Sequence, residues 1–391
     1  MTPRSRPAPS APQKVMTVYG TRPEAIKVAP VLEKLASDPR FESVPVVTGQ
    51  HREMLDQVNE MFHIAPAHDL DILAPGQSLN QIVTRAIAGL DELIVDEQPD
   101  VVLVQGDTTT AMAAALAGFN RQVRVVHLEA GLRTGDISSP FPEEANRKLV
   151  SQVARLHLAP TRGARDNLIR EAIDPSTIVV IGNTVIDSLL EAASWRTVPR
   201  HPELAAALSS GRPVILATMH RRENLGASMH EIAAALAALA RRLPDHILVL
   251  PVHRNPAVRE AVLPHLASVS NVVITEPLQY DEFTSVMAAA RIVITDSGGV
   301  QEEAPSLGKP VLVLRDTTER PEAVESGTVR LVGTERDRIE FEAYRLLTDG
   351  SAYAAMANAV NPYGDGRASE RAVAAIGAML GMGAAPEEFG S

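Results

Sequence analysis

The sequence contains no cysteine among its 391 residues. This absence excludes disulfides, thiolate zinc sites and cysteine nucleophiles. Aromatic residues make up only 3% of the chain, whereas hydrophobic residues as a whole make up 45%. The core must therefore be built from Ala, Val, Leu and Ile, a composition that suits layered α/β domains. The length favours two domains over one.

Basic residues are also in short supply. Lys and Arg number 37 against 48 Asp and Glu, so the formal net charge is −11. That balance argues against a general nucleic-acid binder, although a few local cations can still hold an anionic ligand. No apolar run approaches the ~20 residues of a membrane span, so we expect no membrane insertion. Residues 1–14 are rich in Pro and Ser and lack the apolar segment of a secretory signal, so we expect a disordered tail there.

The chain does contain a regular alternation of short β-rich runs with Ala-rich amphipathic stretches. We predict strands at Val15–Tyr19, Val44–Thr48, Val101–Gln105, Val123–Leu128, Leu156–Ala159, Ile178–Ile181, Val214–Thr218, Ile247–Val252, Asn271–Ile274, Ile292–Thr295, Pro310–Leu314 and Val329–Val332. The helices predicted between them include Leu79–Glu97 and His230–Leu243, the second with Ser228 and Glu231 as a capping box. This alternation predicts an α/β fold of parallel sheets wrapped by helices, and the two series of strands predict two domains.

Polar residues follow the predicted strands at their carboxyl ends, which is where open α/β sheets bind ligands. The ionisable residues at such corners are Arg22, His51, Asp107, Glu129, His220, His253 and Asp296. One such residue is commonplace, because βα loops need solubility and helix caps. Seven at equivalent corners predict a polar ligand site.

In the first half, Thr21–Glu24 has the pattern of a capping box with Pro in the first helical turn. Capping explains Thr21 and Glu24 but leaves Arg22 and Lys27, which lie beside the same helix N-terminus. These two cations either bind an anion or form a solvated surface, and the residues alone do not decide between the two.

Carboxylates follow in the same half of the chain. Asp107 suits a helix N-cap, which is its simpler interpretation. Glu129 comes directly after a predicted buried apolar strand. Because Glu is a poor helix cap, a functional role is the favoured interpretation of this residue. Glu143 and Glu144 begin a helix and complement its dipole, which accounts for one of the two.

The most informative segment of the second half is Asp296–Glu303. Ser297 is expected to cap a helix, while Gly298 and Gly299 would let a diphosphate approach the backbone amides. The carboxylate of Glu303 suits the two hydroxyls of a ribose. A capped helix with acidic first-turn charge also accounts for Glu303, but not for two glycines in succession.

His220 precedes two arginines in HRREN (220–224), without the spacing of a zinc-binding HExxH helix. A histidine at a strand end can simply hydrogen-bond a loop, but the adjacent arginines favour a cationic corner. No GxGxxG follows a predicted strand and no P-loop occurs, so NAD and P-loop nucleotide sites have no fingerprint. The short pattern Asp69-Leu-Asp71 is too unspecific to assign a metal.

Taken in order, several segments resemble the non-hydrolysing UDP-N-acetylglucosamine 2-epimerases. They are GTRPEAIK (20–27), TGQHREML (48–55), QGDTTT (105–110), HLEAGLRTGD (127–136), PFPEEANR (140–147), HRREN (220–224), PVHRNP (251–256), TDSGGVQEEA (295–304) and NPYGDGRAS (361–369). The resemblance implies a glycosyltransferase-B-like architecture, two Rossmann-like domains with the active site in the interdomain cleft. It also implies a cytoplasmic homodimer with no metal or nicotinamide cofactor.

On this basis we expect an N-terminal domain over 15–181 with the C-terminal helix 366–383, and a UDP-binding domain over 182–365. By resemblance, the catalytic residues are Asp107, Glu129, Glu143 and His220, and the UDP and phosphate contacts are Arg22, Lys27, Phe283, Ser297, Gly298, Gly299, Glu303 and Arg320. The effector site of regulated members is matched only at Gln50, since Glu53 and Gly76 depart from the family at its other two positions.

The resemblance implies that UDP leaves carbon 1 of UDP-N-acetylglucosamine while a base removes the carbon-2 proton. UDP then adds back to the glycal after protonation from the other face, which gives UDP-ManNAc for cell-surface polysaccharides. Two protonation events need at least two acid/base groups, and the sequence does not say which carboxylate does which. The alternatives are a UDP-2,3-diacetamido sugar acid as substrate, a hydrolysing epimerase, a UDP-sugar glycosyltransferase, or a non-catalytic UDP-sugar sensor that would not need the acids.

Overall fold

The computed structural model describes residues 11–390 apart from Gln50, His51, Leu73, Pro75 and Glu319. The chain divides into two compact units. The first holds the described residues up to Ser188 and from Tyr363 onward, and the second is Leu189–Pro362. The boundaries expected from the sequence, 181/182 and 365/366, differ from these two division points by seven and three residues.

The first unit is built on a parallel sheet with strand order β3-β2-β1-β4-β5-β6-β7. Its strands are β1 (Gln13–Tyr19), β2 (Phe41–Val47), β3 (His68–Asp69), β4 (Val101–Gln105), β5 (Arg124–Leu128), β6 (Leu156–Ala159) and β7 (Ile178–Val180). The helices along this part of the chain are α1 (Arg22–Ser37), α2 (Arg52–Met61), α3 (Leu79–Glu97), α4 (Thr109–Asn120), α5 (Glu143–Val153), α6 (Arg162–Arg170) and α7 (Thr184–Ser194).

The second unit has a parallel sheet with strand order β10-β9-β8-β11-β12-β13. Its strands are β8 (Val214–Thr218), β9 (Ile247–Pro251), β10 (Val272–Thr275), β11 (Ala290–Thr295), β12 (Val311–Val313) and β13 (Val329–Leu331). Its helices are α8 (Pro202–Ser209), α9 (Ala227–Arg242), α10 (Pro256–Leu266), α11 (Tyr280–Ala289), α12 (Gly298–Ser306), α13 (Pro321–Glu325), α14 (Arg336–Thr348) and α15 (Gly350–Ala357). The last helix, α16 (Ala368–Met379), belongs to the first unit and packs against α1.

Small side chains let the helices lie close to the sheets, which explains a core with few aromatics. Helix α4 buries Ala111, Ala114 and Ala115 in the same cluster as Val102 and Val104 of β4. All five residues of β4 are buried, as expected for a parallel strand covered on both faces.

The prediction of two parallel-sheet α/β domains is confirmed, and each of the predicted strands is present with its bounds shifted by at most three residues. The sequence does not predict β3, because a strand of two residues is too short to show a period. The capping box at Ser228 and Glu231 is wrong. Helix α9 begins at Ala227 after Gly226, whose φ of +91° lets the chain turn into the helix one residue before Ser228.

The predicted tail lies outside the described residues over 1–10. At its other end the prediction is wrong, because β1 begins at Gln13. Gln13 N–H donates to the Arg40 carbonyl (2.8 Å), and the Lys14 ammonium pairs with Glu97 (2.7 Å). Within the described part of the chain, no helix combines the length and apolar character needed to cross a membrane.

Both sheets reverse their strand order at one point. The reversal falls between β1 and β4 in the first unit, and between β8 and β11 in the second. The connections that follow these strands diverge to opposite faces of the sheet and leave room for a ligand at the carboxyl ends. The topology therefore favours ligand binding at the loops after β1, β4, β8 and β11.

Candidate active site

The first cluster of candidate residues surrounds Glu129, which directly follows β5. Its carboxylate accepts hydrogen bonds from Lys27 Nζ (2.5 Å), Gln105 Nε2 (2.5 Å) and Asn183 Nδ2 (3.3 Å). Only 10% of the side chain is exposed. The backbone of Glu129 has φ +64°, a left-handed conformation that is unusual for a residue with a side chain and is often found at functional sites.

The electrostatics of Glu129 favour its ionised form. Burial by itself raises the pKa of this carboxyl. The charge and hydrogen bond of Lys27, together with the Arg147 charge and the Gln105 amide, outweigh burial and hold the pKa of Glu129 below its ordinary value. Glu129 is therefore an ionised carboxylate whose side chain is almost completely shielded from solvent.

Asp107 follows β4, the strand next to β5, and its environment acts in the opposite direction. Arg147 of α5 holds the Asp107 carboxylate through Nε (2.8 Å) and Nη2 (2.7 Å), and Asn146 donates to the Asp107 carbonyl (2.9 Å). Burial nevertheless raises the pKa of Asp107, and the negative charge of Glu129 adds to that shift, while Arg147 opposes it. Asp107 is not the N-cap of α4, because Thr108 takes that position and accepts from Ala111 N–H (3.1 Å).

Two neighbouring carboxyls with pKa shifts of opposite direction are the arrangement expected of an acid and a base. Asp107 holds a proton more tightly than an ordinary Asp, and Glu129 holds one less tightly than an ordinary Glu. This pairing distinguishes Asp107 and Glu129 from carboxylates that only cap helices or bind arginines.

Glu143 and Glu144 at the start of α5 divide into a structural and an available carboxylate. Glu144 is fully buried and accepts from Thr134 N–H (3.1 Å), Gly135 N–H (3.3 Å) and Arg147 (3.1 Å). Glu143 is half-buried, and among the described residues its side chain makes no hydrogen bond or ion pair. The helix-start interpretation therefore accounts for Glu144, and Glu143 is the one left for a ligand.

Arg22 and Lys27 of α1 have different surroundings. Lys27 is held by Glu129, whereas the half-buried Arg22 side chain makes no hydrogen bond or ion pair within the described chain. The buried Glu24 accepts from Thr21 N–H (2.7 Å) and from Thr108 Oγ1 (2.5 Å), so its capping role is confirmed and it also joins the loops after β1 and β4. Within the described part of the chain, Arg22 is therefore a cation available to an anion at this edge of the sheet.

His127, inside the HLEAGLR segment, lies behind this cluster without being an acid/base candidate. Its Nε2 donates to the Gly106 carbonyl (2.8 Å). Burial lowers the pKa of His127 to about 3, so the ring stays neutral. It supports the backbone at Gly106, where φ of +70° turns the chain toward Asp107.

The second cluster is organised by Asp296, which follows β11. This carboxylate is fully buried and faces the loop after the neighbouring strand β8. His220 approaches it with ring Nδ1 (3.1 Å), and Arg221 N–H donates to it (2.9 Å). His220 remains 41% exposed, and its ring stacks on His253 with centroids 6.1 Å apart.

The turn after Asp296 leaves space for a ligand at Gly299 but not at Gly298. Ser297 is the N-cap residue of α12, but its hydroxyl makes no capping bond, contrary to the expectation, and among the described residues it makes no other hydrogen bond. A Cβ on Gly298 would lie 2.5 Å from Nη1 of Arg320, whereas a Cβ on Gly299 would meet nothing within 4 Å. Arg320 is anchored by Glu302 (2.6 Å). The result is a cation beside a helix N-terminus with space for an anion above Gly299.

The remaining nucleotide candidates lie on nearby elements. Glu303 is 9% exposed on α12, which packs on β11 and β12. Phe283 is half-buried on α11, which packs on β8 and β11. Gln50 and His51 lie outside the described residues, and the side chain of Glu53 is not described.

The structure adds residues that sequence reasoning does not assign. Gln105, Asn183 and Arg147 all hold the catalytic candidates, and Asp296 is recognisable in the sequence only as a strand-end residue. The sequence could have indicated a role for Arg147 through its place in the segment PFPEEANR. Nothing in the sequence connects Asn183 with Glu129. Among the described residues, no group of three or more His, Asp or Glu side chains could hold a metal ion.

Comparison with known proteins shows which family the chain belongs to. The family model for UDP-N-acetylglucosamine 2-epimerase matches residues 33–377. The UDP-N-acetylglucosamine 2-epimerase of Escherichia coli K12 is 52% identical over 370 residues, which cover 93% of this chain and 98% of that protein. The crystal structure of UDP-GlcNAc 2-epimerase from Neisseria meningitidis bound to UDP-GlcNAc is 46% identical with a TM-score of 0.81, covering 93% of this chain and 99% of that one. Another crystal structure of a UDP-N-acetylglucosamine 2-epimerase is 47% identical with a TM-score of 0.90, covering 97% and 100%. The chain therefore belongs to the UDP-N-acetylglucosamine 2-epimerase family.

Proposed function

We propose that this protein interconverts UDP-GlcNAc and UDP-ManNAc by inverting carbon 2 of the sugar. The observation that carries the proposal is the pair Asp107 and Glu129, carboxyls on neighbouring strand ends whose pKa values shift in opposite directions. Family membership supports the choice of substrate, since relatives at about half identity are named for this reaction.

The chemistry explains why several acids are needed. The carbon-2 hydrogen has no adjacent carbonyl, so direct deprotonation would be very slow. In the proposed reaction the C1–O bond breaks with its electron pair leaving on UDP, a carboxylate takes the carbon-2 proton, and a C1–C2 double bond forms. A proton then adds to carbon 2 from the opposite face, and the UDP oxygen returns to carbon 1 on the face that it left, so that only carbon 2 is inverted. No electrons are gained or lost overall.

We assign roles from the environments of the carboxyls. Glu129 is an anion that can stabilise positive charge on the sugar or accept a proton, and Asp107 holds a proton more readily than an ordinary Asp and can return one. Glu143, without a partner among the described residues, is the third candidate for proton transfer. Because the reaction is reversible, the donor in one direction is the acceptor in the other.

We assign UDP to the loops after β8 and β11 of the second unit. The backbone amides of Gly298 and Gly299, the hydroxyl of Ser297, the guanidinium of Arg320 and the ring of His220 can stabilise the negative charge that develops on departing UDP. Glu303 would receive the ribose hydroxyls, and Phe283 would contact the nucleoside. Arg22 and Lys27 complete the set of predicted anion contacts.

Incubation with UDP-GlcNAc in deuterated water tests the proposal directly. NMR should show a mixture of UDP-GlcNAc and UDP-ManNAc that has gained deuterium at carbon 2. Release of free sugar and UDP would indicate a hydrolysing epimerase instead. Absence of exchange would contradict epimerisation of this sugar, and the same assay with a UDP-2,3-diacetamido sugar acid would test the nearest alternative substrate.

We also propose that the enzyme works as a cytoplasmic homodimer that supplies ManNAc for cell-surface polysaccharides. Family membership is the support for this part of the proposal. Light scattering coupled to gel filtration tests the dimer, with a mass of about twice the 41.9 kDa chain expected.

A further inference from the structure

The fully buried carboxylate of Asp296 collects several donors from the loop after β8. It accepts from His220 N–H (3.1 and 3.0 Å to its two oxygens), Arg221 N–H (2.9 Å) and Asn224 Nδ2 (3.2 Å). The ring Nδ1 of His220 lies 3.1 Å from Oδ1. Burying a carboxylate costs free energy unless the group is well hydrogen-bonded. Here the carboxylate that follows β11 contacts both the backbone and the His220 ring of the loop after the neighbouring strand β8.

The charge of this carboxylate persists despite its burial. Burial alone would raise the pKa of Asp296, but the hydrogen bond and charge of His220 and the backbone N–H groups hold that pKa below its ordinary value. An ionised carboxylate can only accept hydrogen bonds, so the nitrogen that it contacts must carry the proton.

That contact determines which nitrogen of His220 remains for a ligand. A carboxylate at Nδ1 requires the ring proton to sit on Nδ1, so Nε2 is the nitrogen left over. When the ring is charged, Nε2–H becomes a donor, and the imidazolium is balanced by Asp296. Other charged or titratable side chains close by are the His253 ring stacked on His220 and, in the same loop, Arg221, Arg222 and Glu223, the last of which pairs with Arg315 (2.8 Å).

We propose that Asp296 is a positioning residue for His220, which fixes its Nδ1–H tautomer and orients Nε2 toward the diphosphate of the substrate. The inference rests on the proposed function, because it assigns His220 to the departing UDP. Asp296 itself touches no substrate. It acts through the ring, in the way that a buried acid orients a histidine in other enzymes.

A purely structural role is the competing explanation, since Asp296 also anchors two backbone N–H groups. The two roles differ in what a variant does when the histidine is already missing. If Asp296 acts through the ring, D296N should lower kcat by about 10²-fold in the native background and by little in the H220Q background. If it only anchors the loop, the losses in the two backgrounds should be equal.

D187N is the matched control. Asp187 is also a buried carboxylate at a helix start, and it accepts from the backbone N–H groups of Ala368 (3.2 Å) and Ser369 (2.8 Å). Unlike Asp296, it contacts no histidine ring among the described residues. We expect D187N to lower the Tm and leave kcat near the native value. D296N should lower kcat with KM for the UDP-sugar nearly unchanged.

The tautomer can be measured without any activity or Asp296 variant. Long-range ¹H–¹⁵N correlation spectra of the wild-type protein at a pH where imidazoles are neutral, with His220 identified by its loss in H220Q, should show the proton on Nδ1. An Nε2–H tautomer, a normal kcat for D296N, or equal losses in both backgrounds would each overturn the inference. An inactive wild-type protein with the Nδ1–H tautomer would instead count against the proposed function and leave the pairing intact.

Discussion

The two units of the chain use the same sheet order around the switch point for different chemistry. In the first unit the loops after β4 and β5 carry Asp107 and Glu129, each held by a cation. In the second, the loops after β8 and β11 carry a histidine on a buried acid and a glycine turn at the start of a helix. In the proposed function, the backbone supplies the position in both units, and the charge of the loop residues decides between proton transfer and anion binding.

The two units also differ in the pKa shifts of their buried carboxylates. Glu24 in the first unit and Asp296 in the second both accept two or more backbone N–H groups. Burial raises the pKa of Glu24, whereas the pKa of Asp296 is lowered because His220 adds a hydrogen bond and a charge. The predictions below test this division between the units, beginning with the largest expected effect.

Glu129→Gln should abolish most turnover and leave UDP binding intact. The amide keeps the shape of the side chain but can neither accept the proton nor stabilise positive charge, so we expect kcat to fall about 10³-fold. Calorimetric titration with UDP should give a Kd close to that of the wild type, because the UDP contacts are assigned to other residues.

Glu171→Gln is the control for Glu129→Gln. Glu171 is another first-unit carboxylate with a lowered pKa, which here comes mainly from its Arg133 partner (2.7 Å). Loss of that ion pair should cost stability only. Near-normal turnover in Glu129→Gln would remove Glu129 from the reaction.

Lys27→Met should change the pH dependence of the first unit. Without Lys27, burial is opposed by fewer charges and the pKa of Glu129 must rise. The fall of kcat on the acid side of the pH profile should then move to higher pH, with a loss of about tenfold to 10²-fold at pH 7. Lys14→Met, which removes a lysine paired with Glu97 (2.7 Å), should leave the profile unchanged. An unmoved profile in Lys27→Met would contradict the ionised role of Glu129.

The sequence predicts the fold well because its signals are local. Strands such as Val101–Gln105 and Leu156–Ala159 are short apolar runs between breaks, and they occur at the predicted positions. The glycosyltransferase-B-like fold that the family resemblance implies is also confirmed. The start of helix α9 escapes prediction because Gly226 acts through its φ angle and not through a side chain.

The site is less predictable, because its contacts join residues far apart in the chain. Asn183 reaches Glu129 across 54 positions and Asp296 reaches His220 across 76, and no spacing rule connects either pair. The sequence places Asp107 and Glu129 at strand ends, but the opposite directions of their pKa shifts depend on burial and on Arg147 and Lys27, which only the folded chain brings near.

Gly299→Ala should have opposite effects on stability and on UDP affinity. The new methyl group meets no protein atom within 4 Å, and Ala is the better helix former by ~0.5–1 kcal/mol, so the Tm should rise slightly or stay level. If the diphosphate lies against these amides, the methyl group should weaken UDP binding about tenfold.

Gly298→Ala is the comparison variant. Its methyl group would lie 2.5 Å from Arg320 Nη1, so the guanidinium must shift, and both Tm and UDP affinity should fall. Calorimetry and thermal melts of the two variants test this together. Unchanged UDP affinity in Gly299→Ala would place the diphosphate elsewhere.

The pH dependence of stability should differ in sign between Asp296 and Glu24. The pKa of Asp296 is lowered on folding, so its contribution is present above the ordinary value of 3.8 and is lost as pH falls through the folded value. The pKa of Glu24 is raised, so its contribution is present below the ordinary value of 4.5 and is lost as pH rises through the folded value.

Urea unfolding of D296N and Glu24→Gln between pH 3 and pH 7 would measure this smallest effect. The stability advantage of the wild type over D296N should shrink toward acid pH. Protonation of Asp296 removes the charged interactions of the carboxylate, which the variant already lacks. The advantage over Glu24→Gln should instead shrink as pH rises, because the wild type must then ionise a buried acid whose hydrogen-bond donors are neutral. A tenfold difference in proton affinity between the folded and unfolded chain is worth about 1.4 kcal/mol, so the two trends should be measurable and opposite. Parallel trends would mean that His220 does not distinguish the buried acid of the second unit from that of the first.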